Sequence, residues 1–184
     1  MEKILAISML FLLAWADFEY KSFYEIRNQG MVRQSYEESC GAASLATLIN
    51  LLYEKNLDEE QILELFDNNT NMVTFLQLQE AAKKLGYSSR SYKLSREILE
   101  SVSIPILIKI EDDPKFPHFV VVICYGDFFL VFDPNFGKYI TKKMELYAIW
   151  DKKLEGGFGL LIAPPKNYQK PILQLLPQSI FIQK

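Results

Sequence analysis

One histidine, His118, and two cysteines, Cys40 and Cys124, are all that the 184-residue chain holds of those types. That scarcity excludes a His-rich metal cluster and a Cys-rich zinc site, and it is too thin for a disulfide scaffold. An excess of positive charge is missing too: 20 Lys and Arg face 23 Asp and Glu, for a formal net charge of −3. A nucleic-acid binder that works by neutralising phosphates is therefore not expected. The chain has no Gly-x-x-x-x-Gly-Lys-Ser/Thr loop, no Gly-x-Ser-x-Gly elbow and no Cys-x-x-Cys pair, which removes ATP binding and the usual serine and dithiol chemistries. Internal repeats and low-complexity tracts are likewise absent. What remains is ordinary globular composition, 49% hydrophobic and 23% charged, in a length that fits one domain.

The one long apolar run lies at the start. Residues 1–16 read MEKILAISMLFLLAWA: Lys3, an apolar stretch from Ile4 to Trp15, then Ala14-Trp15-Ala16 before Asp17. That order is the signature of a secretory signal peptide cut after Ala16. As a helix the run reaches only ~20 Å, short of the ~30 Å bilayer core. The expectation is an exported protein, periplasmic or secreted, with no stable membrane span once the signal is removed.

Residues 17–33 show no strong period and read as a lead-in. From Cys40 to Tyr53 the spacing of Ala42, Leu45, Ala46, Ile49, Leu52 and Tyr53 predicts a largely buried helix. Asp58 caps a second helix whose acidic first turn, Glu59-Glu60, reads as solvated. Thr74 caps a third that stops at Gly86, and a short helix follows near Ser95–Leu99. The pattern then changes to short β-branched and aromatic runs at 104–110, 119–125, 128–132 and 158–163, with Gly126-Asp127 as a hairpin turn. Helices first and strands afterwards predict an α+β fold, N-terminal helices packed on an antiparallel sheet. Residues 17–163 form the domain and residues 164–184 an appended tail with apolar residues that suggest docking.

Four residues carry the chemistry. Cys40 opens the buried helix, where the positive end of the helix dipole favours thiolate chemistry. Gly41 beside it presents no side chain, which would let a substrate backbone approach. Position alone leaves Cys40 either a nucleophile or a small buried apolar residue. His118 begins a strand, and an imidazole at a strand mouth beside a helix N-terminus suits Cys–His nucleophilic catalysis. Asp133 ends the next strand, and a hairpin turn at Gly126-Asp127 places it roughly opposite His118, where a carboxylate fixes the ring's tautomer. Gln34, six residues before Cys40, could donate its side-chain amide to an oxyanion hole together with the Cys40 N–H. A Cys40–Cys124 disulfide is the competing use of the two cysteines. Cys124 lies ~20 Å from His118 along a strand, and a disulfide needs Cα atoms within about 7 Å, so the two readings exclude each other.

Taken together, Gln34, Cys40-Gly41-Ala42-Ala43-Ser44-Leu45, His118-Phe119-Val120-Val121-Val122 and Asp133-Pro134 resemble the motifs of the bacteriocin-processing, double-glycine leader cysteine peptidases. Tyr147 to Trp150 is similar to that family's short closing helix, and the resemblance covers about residues 30–163. It implies a papain-like fold with Cys40 as nucleophile, His118 as base and then acid, Asp133 as its orienting partner and Gln34 as oxyanion donor. The implied reaction is peptide-bond hydrolysis through a thioester, with no metal or cofactor. In the best-known members the domain precedes the membrane and nucleotide-binding parts of a cytosolic-facing exporter. A signal peptide here points instead to a stand-alone exported peptidase acting on a secreted polypeptide or its export machinery. The alternative is a catalytically silent peptide-binding or secretion accessory module on the same fold. Acyl transfer or glutamine deamidation would use the same triad.

Overall fold

Capping chemistry and apolar spacing divide the chain into elements much as the sequence anticipates. The computed structural model describes residues 21–66, 72–113 and 116–170, so the export signal expected at 1–16 lies outside the described residues. Helix α1 (Phe23–Asn28) is followed by a 3-10 turn (Glu37–Ser39), α2 (Cys40–Tyr53), α3 (Glu59–Leu63) and α4 (Phe75–Lys84). Strand β1 (Ser89–Leu94) leads to α5 (Arg96–Ser101), then β2 (Ile106–Asp113), β3 (Phe116–Tyr125), β4 (Phe128–Asp133) and β5 (Gly137–Lys142). Helix α6 (Lys143–Trp150) and β6 (Gly157–Ile162) complete the described elements.

Helix α2 forms because its Ala- and Leu-rich run has no Pro and one interior Gly, and it is buried continuously from Cys40 to Ile49. Leu45, Leu48 and Ile49 are fully enclosed, each worth about 1.5–3 kcal/mol of apolar transfer. The helix ends where Glu54 turns left-handed at φ 52° and returns its N–H to Asn50. Asp58, Thr74 and Ser95 cap α3, α4 and α5 through their side chains, as expected for such residues. Helix α1 was not anticipated in the lead-in. Its signal was present as Ser22-x-x-Glu25, a capping box in which each side chain bonds the other's backbone N–H.

The six strands form one antiparallel sheet in the order β1-β6-β2-β3-β4-β5. Helix α2 packs on β3, with Phe119, Val121, Ile123, Leu130 and Phe132 facing its apolar side. The opposite face of the sheet is also covered. Val120, Val122, Cys124, Phe129 and Val131 meet Leu99 of α5 and Leu146, Tyr147 and Trp150 of α6. The α+β reading therefore holds, with a second helical layer added to the expected one. The segment after β6, expected as a tail, packs through Tyr168 against the α2-side core and sets Lys170 Nζ 4.3 Å over the Tyr125 ring. Its remainder, residues 171–184, lies outside the described residues.

Candidate active site

Cys40 is the first residue of α2 and only 4% exposed. The chain reaches it through a turn that Ser39 closes, its Oγ donating to Tyr36 O at 2.7 Å and accepting the Tyr36 N–H at 3.3 Å. One helical turn later, Ser44 Oγ donates to the Phe119 carbonyl at 2.9 Å, which locks α2 to β3 one residue past His118. Gly41 has a different purpose from the expected one. A Cβ there would lie 2.2 Å from Val73 Cγ2, so the missing side chain admits Val73 and the residue is buried rather than open to a substrate. Gly41→Ala should destabilise the fold by about 2 kcal/mol in urea unfolding, because overpacking outweighs the helix propensity gained. Combining it with Val73→Ala should recover most of that loss.

His118 and Asp133 meet across the two strands, roughly opposite one another with a diagonal offset. The β3–β4 register pairs Val121 with Phe132, which sets Asp133 level with Val120 and diagonal to His118. Diagonal residues share a face and remain within reach of long side chains. Pairing between the two strands stops at Val121–Phe132, so His118 and Asp133 stand where the strands part. There His118 Nε2 lies 2.9 Å from Asp133 Oδ1. The same Oδ1 accepts the N–H groups of Asn135 at 2.9 Å and Phe136 at 2.8 Å, which fix the carboxylate independently of the ring. With Nε2 taken by Asp133, Nδ1 is the nitrogen left for Cys40, which lies close enough to raise the ring's pKa.

Burial alone would push the His118 pKa down. The hydrogen bonds to Asp133 and Cys40 and their negative charges overcome it and hold the ring up at about 9. Burial would raise the Asp133 carboxyl, but its bond to the His118 ring, the ring's charge and the two backbone N–H groups bring it below the usual carboxylate range. Because the His118 pKa lies above its unfolded value of ~6.5, the stability it contributes is complete below that pH. This contribution is lost as pH rises through about 9. Chemically, a ring held this way keeps its proton through the neutral pH range.

Gln34 lies beside the same site. Its backbone N–H donates to Pro134 O at 3.0 Å, fastening it to the turn after Asp133. Its amide Nε2 is turned onto Tyr36 O at 3.1 Å and Glu37 O at 3.4 Å, while its Oε1 is buried without a partner. Arg33 adds a second strap, donating to Asn135 O at 2.5 Å and to Asn28 Oδ1 at 3.2 Å. One residue of this neighbourhood escaped the sequence. Glu59, expected to be solvated, is 7% exposed and accepts the Ser35 N–H at 3.0 and 3.1 Å. An acidic residue in the first turn of a helix is common, and nothing in the sequence marks this one as turned inward. Both cysteines are free, and Cys124 is a buried strand thiol whose pKa burial raises.

The sequence matches the Peptidase C39 family over residues 28–164. It is 28% identical over 139 residues to the probable functional amyloid protease FapD of Pseudomonas fluorescens, a stretch that is 71% of this chain and 61% of that protein. The chain spans about three fifths of the length of the FapD proteins it matches. Among solved structures it resembles the peptidase domain of Streptococcus ComA, with a TM-score of 0.64 and 25% identity over 74% of this chain and 98% of that one. The fold is shared with a double glycine motif protease from an AMS/PCAT transporter, at a TM-score of 0.60 and 24% identity over 76% and 96% of the two chains. With a match that runs from before Gln34 to just past β6, the chain belongs to the Peptidase C39 family of cysteine peptidases.

Proposed function

We propose that the protein is an exported peptidase that hydrolyses a peptide bond of a secreted polypeptide, with Cys40, His118, Asp133 and Gln34 as its catalytic residues. The observation that carries this reading is that the half-buried His118 bonds Asp133 through Nε2 and has Cys40, at the start of α2, close enough to raise its pKa. The Cys40 sulfur attacks the substrate carbonyl carbon, and the electron pair of the C=O moves to oxygen. The Cys40 N–H and the Gln34 amide receive that oxyanion; the 3.4 Å contact of Gln34 Nε2 with Glu37 O is the longer of its two bonds and the one that yields. Collapse of the intermediate breaks the C–N bond, His118 gives its proton to the departing amine, and a thioester remains. Water then attacks the thioester with the ring as base, which releases the acid and restores the thiol.

Export rests on the N-terminal run with its Ala14-Trp15-Ala16 ending. Among the described residues no helix is long and apolar enough to cross a membrane. The FapD relative's description as a functional amyloid protease supports a polypeptide substrate. The test is to express the full chain, locate it by fractionation and sequence its N-terminus, which should begin at Asp17. The purified protein is then incubated with a pool of synthetic peptides, and mass spectrometry should find new termini that are absent with Cys40→Ala. Cleavage that persists in that variant, or no cleavage of any peptide, would overturn the reading.

Asp133→Asn should be milder than removal of the ring. The carbonyl oxygen of Asn can still accept from Asn135, Phe136 and His118 Nε2, so the geometry survives and only the charge is lost. Loss of the charge lets the ring pKa fall from about 9 towards its ordinary value. The alkaline limb of hydrolysis should therefore move to lower pH, with a loss of roughly 10-fold at pH 7.5 if the ring returns to ~6.5. A pH–rate profile of both proteins reads this directly.

A further inference from the structure

We propose that Glu59 is a positioning residue for the oxyanion hole, acting through Ser35 to hold Gln34 in place. The inference rests on Gln34 being the oxyanion donor, as proposed above. Glu59 is a carboxylate at the first position of α3 with 7% exposure, and it carries no ion pair among the described residues. Burying a carboxylate without a cation is costly unless its lone pairs are filled. They are filled by one residue: both oxygens take the Ser35 N–H at 3.0 and 3.1 Å, and Oε2 also takes the Ser35 hydroxyl at 2.5 Å. The cap of α3 does not require it, because Asp58 already accepts the Gln61 N–H at 2.9 Å.

The placement of Ser35 gives the clamp its consequence. Gln34 is held on one side by its own N–H on Pro134 O and on the other by the grip of Glu59 on the next residue. The Gln34 amide and the turn leading to Cys40 therefore hang between two fixed points, one on the β4–β5 turn and one on α3. Charge-assisted bonds of this kind are the stronger class. Without the carboxylate, the Ser35 N–H is left unpaired and the backbone at Gln34 is free to rotate.

The experiment separates oxyanion positioning from general damage by using two reactions of the same sulfur. Hydrolysis of p-nitrophenyl acetate passes through an oxyanion; alkylation by iodoacetamide displaces iodide and forms none. Both are measured on the Cys124→Ser background, with Cys40→Ala as the blank. Glu59→Ala should slow ester turnover by about 10-fold or more while Cys40 alkylation keeps its wild-type rate and pH profile. Adding Glu59→Ala to Gln34→Ala should cost nothing further, because both remove the same donor. Glu59→Gln, which keeps one carbonyl acceptor for the Ser35 N–H, should recover part of the rate. Equal loss in ester turnover and alkylation, or effects of Glu59 and Gln34 that multiply, would overturn the inference. If Glu59→Ala fails to fold by circular dichroism, Ser35→Ala carries the same comparison through loss of the hydroxyl bond. An absence of Cys40-dependent ester turnover in the unaltered site would instead sink the peptidase reading itself.

Discussion

Cys40→Ala should abolish peptide hydrolysis, by a factor on the order of 10⁶ if it behaves as nucleophile removal does elsewhere. The fold should hardly notice. Cys40 is buried among apolar neighbours, and replacing its sulfur by nothing leaves a void of about one atom, worth roughly 1 kcal/mol. The same variant has a spectroscopic signature that a merely structural cysteine would lack. Cys40 supplies both a hydrogen bond and a charge that raise the His118 pKa, so the ring should titrate below its wild-type value of about 9. His118 is the sole histidine, so a single imidazole resonance followed by NMR across pH reports this without assignment. An unmoved His118 titration would show that the two side chains do not communicate, and the catalytic reading of Cys40 would go with it.

His118→Ala should cost nearly as much, on the order of 10⁴-fold or more, because in the proposed mechanism one ring is both the acid for the leaving amine and the base for water. On the proposed reading, the loss should extend to Cys40 alkylation at neutral pH. Stability is affected through a different route. Asp133 is 99% buried and would keep its two backbone N–H partners but lose its cation. Removing one member of a buried ion pair is strongly destabilising, about 3–5 kcal/mol in fully enclosed cases. The 19% exposure of the His118 side chain places this one at or below the lower end. Thermal unfolding near pH 7 should therefore show a drop that Cys40→Ala does not.

The sequence spoke most clearly where apolar period and capping agreed. Helix α2 was legible from Cys40 to Tyr53, and the hairpin at Gly126-Asp127 set β3 against β4. The two strands that escaped, β1 and β5, are the outer strands of the sheet. Their sequences, SRSYKL and GKYITK, lack apolar alternation because an edge strand shares less of its surface with the core. Lys138 on β5 even turns inward, its Nζ donating to Gln29 O at 3.1 Å, an arrangement no periodicity announces. At the site, Cys40, His118 and Asp133 are chemically rare or distinctively placed, and spacing brought them together. Glu59 and the true neighbour of Gly41 were hidden because each depends on a contact between segments distant in sequence. The diagonal offset of His118 and Asp133 was legible too: counting outward from Gly126-Asp127 pairs Val121 with Phe132, as observed, and leaves the two residues two places out of register.

The strand order carries a consequence for how the molecule comes into being. Strand β6, the last of the described strands in the chain, lies between β1 and β2, pairing with β1 along its full length and with β2 at Leu107 and Ile108. Until residue 162 has emerged, β1 has no partner and β2 has one open edge. A nascent chain can build the β2–β3–β4 part of the sheet, yet its other half waits for β6. Such late, long-range closure makes folding slow, since the cost of looping precedes the gain from pairing. A sheet that stays open until β6 arrives keeps the chain threadable for longer, which suits the export proposed above.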